Sequence, residues 1–204
     1  MKFITKNKEL ILQIIIVILV IVLFYYLSQK SKENFELKYV INSENNEKKA
    51  ITYNIDKYVI MSNNLGNALK FNGSSSYIFI PNINYLTYTV SFLANFSTLN
   101  TNMCLLYSNY DNTLLELKYI DKKLILEVNN NGVIDKIESN YDLKSSIYNH
   151  IAITYNNNKL ELFINGDKVE KTVNYSITIN NLIIGKNQSL FFNGYIGQIN
   201  VFNS

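Results

Sequence analysis

The chain has 204 residues, of which 48% are hydrophobic and 17% charged, a balance typical of a folded protein and not of a disordered polar tract. Nineteen lysines, no arginine and 16 acidic residues give a formal net charge of +3. Three of the lysines, Lys2, Lys6 and Lys8, lie close to the start, so the rest of the chain is nearly neutral. A nearly neutral body without arginine is poorly suited to a nucleic-acid backbone, and we expect no nucleic-acid partner.

One cysteine and one histidine restrict the chemistry of the chain. Cys104 cannot form an internal disulfide, and with His150 it supplies fewer than the usual three or four ligands of a zinc site. We therefore predict no disulfide and no zinc site, and we assign no metal ligand and no cofactor. Cys104 lies in an apolar run and is predicted to be a small buried side chain, while His150 is predicted to be a structural residue of a strand.

Residues 10–27, LILQIIIVILVIVLFYYL, form a continuous apolar run in which Gln13 is the only strongly polar residue. A helix of this length is about 27 Å long, close to the thickness of a hydrocarbon core. The apolar residues surround the helix instead of forming a stripe, and Tyr25 and Tyr26 fall where an interfacial belt is expected. This pattern predicts a transmembrane helix.

A cleaved signal peptide is disfavoured, because the apolar run ends in Phe24, Tyr25 and Tyr26, whereas a cleavage site needs small residues there. Residues 1–9 are predicted to be a short basic tail on the cytoplasmic side, with the folded body outside, although lysines flank both ends of the helix. Residues 28–49 are predicted to be a polar stalk, in which 37–41 could supply an early strand. The preponderance of Asn, Ile, Lys and Tyr is typical of an A+T-rich genome, such as that of a large DNA virus or an A+T-rich microbe, and a viral membrane is one candidate location.

From about residue 50 onwards, β-branched and aromatic residues recur in short runs separated by Asn and Gly, which predicts an all-β sandwich. Asn131-Gly132 and Asn165-Gly166 accept two positive φ angles and predict two tight hairpins. The predicted strands are Tyr77–Ile80, Tyr88–Asn95, Met103–Tyr107, Leu114–Tyr119, Lys123–Asn129, His150–Tyr155, Lys159–Ile164, Lys168–Val173, Leu182–Ile184 and Tyr195–Phe202.

Four segments of this body form an ordered set of motifs. They are LGNALKFNG (65–73) leading into SYIFIPN (76–82); YTVSF (88–92); YNHIAITY (148–155) followed by LELFING (160–166); and IIG (183–185) with FNGYIGQINVF (192–202). In this order they resemble the laminin G-like, concanavalin A-like jelly-roll family. The resemblance covers residues 50–204 and implies one domain, a two-sheet antiparallel jelly-roll sandwich.

The resemblance also assigns structural roles to individual residues. Gly73 and Gly166 are expected in turns, and Gly194 and Gly197 at a close approach or bulge of the last strand. The expected core residues are Leu69, Phe71, Phe92, Ile151, Ile153, Leu160, Leu162, Ile196 and Val201. The sequence departs from the family pattern at Leu93 and Tyr148, where the family often has Trp, which weakens any sugar-binding site that depends on tryptophan.

Glycosidases of this superfamily resemble one another in an E-x-D-x-x-E strand, which brings two carboxylates together as nucleophile and acid. No E-x-D occurs in this sequence. Glu116, Glu127, Glu138 and Glu161 are scattered singly and are predicted to face solvent. We therefore assign no catalytic residue and predict that the protein is not an enzyme.

The candidate binding residues lie in predicted rim loops. Asn109, Tyr110, Asp111 and Asn112 offer amides, an aromatic face and a carboxylate in one loop, and Asn187 follows a later strand. These groups could bind sugar hydroxyls, or Asp111 could join a Ca²⁺ site, but no calcium ligand set can be assigned.

The sequence thus predicts a single-pass membrane protein whose lectin-like domain binds a glycan or a protein without catalysis. One alternative is a structural scaffold tethered to a membrane or virion, with another coat protein as its partner. The third and least favoured reading is a glycoside hydrolase.

Overall fold

The computed structural model describes residues 50–55, 58–60 and 67–203, with the backbone alone at 58–60. The predicted tail, transmembrane helix and stalk, residues 1–49, lie outside the described residues, and so does the early strand suggested at 37–41. Within the described part, no helix has the length and apolar character needed to cross a membrane.

The described chain folds into two antiparallel sheets of seven strands each. Sheet 1 has the spatial order β1 (Ile51–Tyr53), β4 (Tyr77–Ile80), β13 (Leu182–Ile184), β6 (Met103–Tyr110), β7 (Thr113–Ile120), β8 (Lys123–Asn130) and β9 (Val133–Glu138). Sheet 2 has the order β12 (Asp167–Thr172), β11 (Lys159–Ile164), β10 (Tyr148–Asn156), β5 (Tyr88–Phe96), β14 (Asn193–Asn203), β3 (Asn67–Asn72) and β2 (Tyr58–Ile60). The predicted all-β, two-sheet antiparallel sandwich is confirmed, and the strand order is consistent with a jelly roll.

The core lies between the sheets and is built by alternation along the strands. In β11, for example, Leu160, Leu162 and Ile164 are buried while the residues between them are half-buried. The nine residues expected in the core are all buried: Leu69, Phe71, Phe92, Ile151, Ile153, Leu160, Leu162, Ile196 and Val201. Each such side chain contributes about 1.5–3 kcal/mol of burial free energy, so these inward faces supply the main force that holds the sheets together.

The predicted hairpins are present, with the expected backbone. Asn131 and Gly132 have φ of 50° and 87°, and Asn165 and Gly166 have φ of 51° and 95°. These angles match the right-handed twist of the flanking strands, which is why this dipeptide is favoured there. The predicted irregularity in β14 is also found, as a register shift against β5 between Gly197 and Asn200.

Four strands were not predicted: β1, β2, β3 and β9. β1 and β2 are only three residues long, and β3 was recognised as a motif without being assigned as a strand. In β9 one residue, Ile137, is buried, since this strand lies at the edge of sheet 1 and is largely charged or exposed. Short or edge strands bury too few side chains to leave a clear pattern of alternation.

The two sheets are joined along one side by a polar contact at Asp135 of β9. The Lys171 ammonium of β12 lies 2.6 Å from one carboxylate oxygen, and the Tyr175 hydroxyl donates a 2.7 Å hydrogen bond to the other. The hydrogen bonds from Lys171 and Tyr175 hold the pKa of the Asp135 carboxyl below its usual value of 3.8. This contact links the edge of sheet 1 to the edge of sheet 2.

Gly185→Ala and Gly132→Ala are a matched pair, because both glycines have a left-handed φ, +94° and +87°. A Cβ at Gly132 meets no atom within 4 Å, whereas a Cβ at Gly185 overlaps the buried ring of Phe71. We expect the free energy of unfolding to fall by about 1 kcal/mol in Gly132→Ala, from backbone strain alone. In Gly185→Ala we expect a fall of about 3 kcal/mol, because overpacking adds to the same strain. Urea denaturation followed by tyrosine fluorescence measures both values, and equal losses would contradict the packing described.

Asp135→Asn is expected to lower the free energy of unfolding near neutral pH and to make this free energy depend less on pH in acidic solution. A carboxyl whose folded pKa is lowered stabilises the protein above its unfolded pKa of about 3.9, and this stabilisation is lost as the pH falls through the folded pKa. The native protein should therefore lose more stability than the variant between mildly acidic and strongly acidic solution. Asp167→Asn is the control, since Asp167 is exposed and forms no ion pair with any described residue. Identical acid profiles for the native protein and Asp135→Asn, measured by thermal unfolding, would contradict the role assigned to Asp135.

Candidate ligand-binding site

An open hollow of about 510 Å³ lies at one rim of the sandwich, lined by Asn82, Ile83, Asn84, Tyr110 and Asn180. Three parts of the chain meet there: the connection from β4 to β5, the end of β6, and the connection from β12 to β13. The lining therefore combines three side-chain amides and one phenol around an aliphatic residue, with no formal charge.

Backbone hydrogen bonds fix the two connections to each other. The Ile83 amide donates to the Asn180 carbonyl at 2.6 Å, the Tyr85 amide donates to the Ile179 carbonyl at 2.9 Å, and the Ile179 amide donates back to the Tyr85 carbonyl at 3.1 Å. Ile83 is only 2% exposed and belongs to the central core. The floor of the hollow is thus anchored in the sandwich, which positions the lining residues before any ligand arrives.

Three of the four polar side chains that line the hollow are available for a ligand. Asn82 and Asn84 have φ of 56° and 53°, a left-handed conformation that asparagine tolerates better than most residues. The side chains of Asn84 and Asn180 and the hydroxyl of Tyr110 form no hydrogen bond with any described residue. Tyr110 is 38% exposed. These groups can therefore bond to a ligand without first breaking a contact within the protein.

The lining of the hollow supplies hydrogen-bonding groups and one aromatic ring. An amide both donates and accepts hydrogen bonds, as sugar hydroxyls do, and the face of a tyrosine ring packs against the apolar face of a sugar. No carboxylate, imidazole, thiol or amine lines the hollow. In the described part of the chain, no group of three or more His, Cys, Asp or Glu side chains is placed to hold a metal ion.

The predicted binding loop 109–112 is mostly a strand end and a tight turn. Asn109 and Tyr110 are the last residues of β6, which runs three residues beyond the predicted end at Tyr107. Asp111 and Asn112 form the two-residue turn to β7, with φ of 47° and 60°. Of the four predicted residues, Tyr110 is the one that lines the hollow. The sequence could not separate these roles, because Asn and Asp are favoured both in turns and in binding sites.

Asn187, the fifth predicted residue, lies past the other end of β13 from Asn180 and does not line the hollow. Its side-chain oxygen accepts hydrogen bonds from the amides of Ser189 at 2.9 Å and Leu190 at 2.7 Å. Its side-chain nitrogen donates to a Glu116 carboxylate oxygen at 2.8 Å. The Asn187 amide is therefore occupied in shaping its own loop.

The prediction that Glu116 and Glu127 are scattered and solvent-facing is wrong. They lie directly opposite each other on β7 and β8, and Glu116 is only 7% exposed. Lys118 lies between them, with its ammonium 2.8 Å from Glu116 and 3.3 Å from Glu127, and Lys136 is 3.0 Å from Glu127. Sequence spacing along one strand could not reveal a pair that is formed across two strands.

These two carboxylates form a neutralised charge network. Partial burial acts to raise the pKa of Glu127, but its hydrogen bonds and charge contacts with Lys136 and Lys118 outweigh this and lower the pKa. Partial burial acts in the opposite direction on Lys118, whose pKa is nevertheless raised by Glu116 and Glu127. A glycosidase acid needs a raised pKa, so the shift at Glu127 is in the wrong direction for that role.

The two other residues singled out in the sequence differ from each other in burial. Cys104 is fully buried, as predicted, and desolvation raises the pKa of its thiol well above the ordinary value, which makes it unreactive. His150 is exposed on β10, so it is not a packed core residue. Its backbone amide donates to the Asn165 side chain at 2.8 Å, in the adjacent hairpin turn.

Several solved structures share this fold. Domains LG4–5 of the mouse laminin alpha1 chain match with a TM-score of 0.55 and 16% identity, over 66% of this chain and 40% of that one. The receptor-binding domain of botulinum neurotoxin C/D mosaic serotype matches with a TM-score of 0.62 and 15% identity, over 83% of this chain and 48% of that one. Domain 4 of AbnA, an extracellular arabinanase of Geobacillus stearothermophilus solved with arabinotriose, matches with a TM-score of 0.60 and 17% identity, over 82% of this chain and 80% of that one. At these identities the likeness concerns the fold, and the chain spans less than half of the laminin and neurotoxin chains.

No curated protein sequence matches the chain significantly. A laminin G family model, described as the concanavalin A-like lectin/glucanases superfamily, matches residues 72–204. This match covers more than half of the chain and includes β4 to β14, which contribute strands to both sheets. The chain therefore belongs to the concanavalin A-like lectin/glucanase superfamily, through a laminin G-like domain.

Proposed function

We propose that the protein is held in a membrane by residues 10–27 and displays a non-catalytic recognition domain whose rim hollow binds a glycan or a protein surface. The observation that carries this proposal is the set of unpaired polar groups in the hollow, namely the amides of Asn84 and Asn180 and the hydroxyl of Tyr110. Polar groups that are fixed by the fold but lack a partner within it are the usual means of selecting a ligand.

A neutral oligosaccharide fits the hollow best. The lining has no charge, offers donors and acceptors together, and includes one aromatic ring over which a sugar ring can pack. Two structural neighbours give this reading support by analogy: one is a receptor-binding domain, and another was solved with arabinotriose. A single open site of this kind binds weakly, and many copies on one membrane raise the overall affinity through avidity.

The non-catalytic part of the proposal depends on the carboxylates. Two carboxylate pairs lie directly opposite each other on neighbouring strands of the described chain, Glu116 with Glu127 and Glu161 with Glu170. Lysines contact all four carboxylates, and none of the four lines the hollow. The acid of a hydrolase must hold a proton near neutral pH, whereas hydrogen bonds, from Thr154 and lysines at Glu161 and from lysines at the other two, lower the pKa of Glu127, Glu161 and Glu170.

Membrane attachment can be tested by placing charges in the predicted helix. The double variant Ile16→Lys and Leu19→Lys should release the full chain from vesicles, because each central lysine costs about 2.5–3.5 kcal/mol of insertion free energy. The native chain should instead float with the lipid and resist extraction at alkaline pH. The double variant Asn45→Lys and Asn46→Lys is the control, since it adds the same charge in the predicted stalk. A native chain that stays in the aqueous fraction would contradict the anchor.

Ligand binding can be tested by displaying the full chain on vesicles over an array of neutral oligosaccharides that includes arabinotriose. Tyr110→Ala and Asn180→Ala should each weaken binding by about tenfold, through the loss of packing or of a hydrogen bond worth about 1 kcal/mol or more. Ile134→Ala is the control, because Ile134 is also exposed, at 53%, but lies on β9, outside the hollow.

Three outcomes would count against parts of this proposal. No binding under clustered display would contradict glycan recognition, and a single stoichiometric protein recovered with the anchored chain would favour the scaffold alternative. Equal losses in Tyr110→Ala and Ile134→Ala would contradict the location of the site. Turnover of any oligosaccharide would contradict the non-catalytic role.

A further inference from the structure

The outer face of sheet 1 carries an apolar and aromatic area next to its free edge at β1. We call it the β1 patch and define it by six residues: Ile51, Tyr53, Tyr77, Phe79, Ile183 and Lys186. Ile51 and Tyr53 are 45% and 38% exposed, and the other four are half-buried. The outer face of a solvated antiparallel sheet is usually polar, so a connected apolar area there indicates a contact.

The strand register makes the β1 patch continuous. Phe79 lies between Ile51 on one side and Ile183 on the other. Tyr53 pairs with Tyr77, and the two rings are stacked with centroids 4.3 Å apart. The residues that alternate with these along β4 and β13, such as Ile78, Ile80 and Ile184, are fully buried in the core, so the patch faces away from the sandwich.

A lysine completes the patch. The Lys186 ammonium lies 3.7 Å from the centre of the Tyr77 ring, and no ion pair holds it among the described residues. Tyrosine, aliphatic side chains and lysine together are the composition of protein surfaces at the boundary between lipid headgroups and acyl chains. The cation also complements the anionic lipids of many membrane leaflets.

The position of β1 in the chain points to the same partner. β1 is the first described strand, and residues 28–50 separate it from the predicted end of the anchor at Leu27. A chain of 23 residues reaches at most about 80 Å. The proposed anchor therefore keeps the β1 patch within reach of the bilayer, at a high effective concentration of lipid.

We propose that the β1 patch rests on the headgroup and acyl boundary of the bilayer that holds the anchor. This inference rests on the proposed membrane attachment and adds an orientation to it. When the β1 patch on the outer face of sheet 1 lies against the bilayer, the strand ends point along the membrane surface. The hollow at Asn84, Tyr110 and Asn180 then stays open to solution while the domain lies against the membrane.

The absence of tryptophan from the sequence provides a direct test. Tyr53→Trp introduces one fluorophore in the patch, and Ile134→Trp introduces one at β9, the opposite edge of the same sheet, where Ile134 is 53% exposed. Each full-length variant is reconstituted in vesicles of phosphatidylcholine and phosphatidylserine, with and without bromine on the acyl chains near the headgroups. Bromine quenches an indole that touches it, so emission reports lipid contact at each position.

We expect the emission of Tyr53→Trp to be shifted to the blue and reduced at least about twofold by brominated lipid, as at an interfacial aromatic belt. The emission of Ile134→Trp should be that of a water-exposed indole and should not change. Equal quenching of both variants, or quenching of neither while the chain still floats with the vesicles, would overturn the inference and leave the anchor intact.

Two further outcomes are distinguishable. A blue shift of Tyr53→Trp without quenching by bromine would indicate a protein partner on the β1 patch, such as a second copy, and would overturn the lipid contact. A chain that does not float with the vesicles would overturn the anchor and, with it, the lipid contact.

Discussion

The structure depends on the burial of alternating apolar side chains between two sheets that have no helix or disulfide among the described residues to support them. Every long strand sends one row of side chains into the same layer, where Phe71, Phe96 and Phe192 pack edge to face at 5.2–5.7 Å. This layer fixes the register of both sheets, and the register in turn fixes where the rim connections begin and end. The hollow is a consequence of this packing, because its floor residue Ile83 belongs to the same core.

The sequence predicted the features that depend on alternation and on turn chemistry. The inward residues of β11 and β14, the two Asn-Gly hairpins and the irregularity near Gly197 could all be inferred, since each leaves a local pattern. β1 and β9 could not be inferred, because an edge strand buries too few side chains to leave a pattern of alternation in the sequence. The opposition of Glu116 and Glu127 was missed for a different reason: it is set by the pairing of β7 with β8, which no spacing within one strand encodes.

One lining residue of the hollow, Tyr110, belongs to the loop that the sequence singled out, and the abundance of asparagine explains why the other lining residues do not. Eight of the thirteen non-glycine residues with positive φ in the described chain are asparagines, so many asparagines serve to shape turns. Asn112 is one of these. The side-chain amide of Asn187 is hydrogen-bonded within its own loop and to Glu116. Asn84 shapes a turn and also keeps a free amide, a distinction that appears only when its hydrogen-bond partners are known.

The proposed function depends on the rim hollow being the ligand site of this laminin G-like domain, and a crystal structure of the protein with a neutral oligosaccharide would show where the ligand binds. We predict a sugar ring packed on Tyr110, with hydroxyl groups bonded to the amides of Asn84 and Asn180. An oligosaccharide bound instead across Glu116 and Glu127, or elsewhere on the outer face of sheet 1, would contradict the claim.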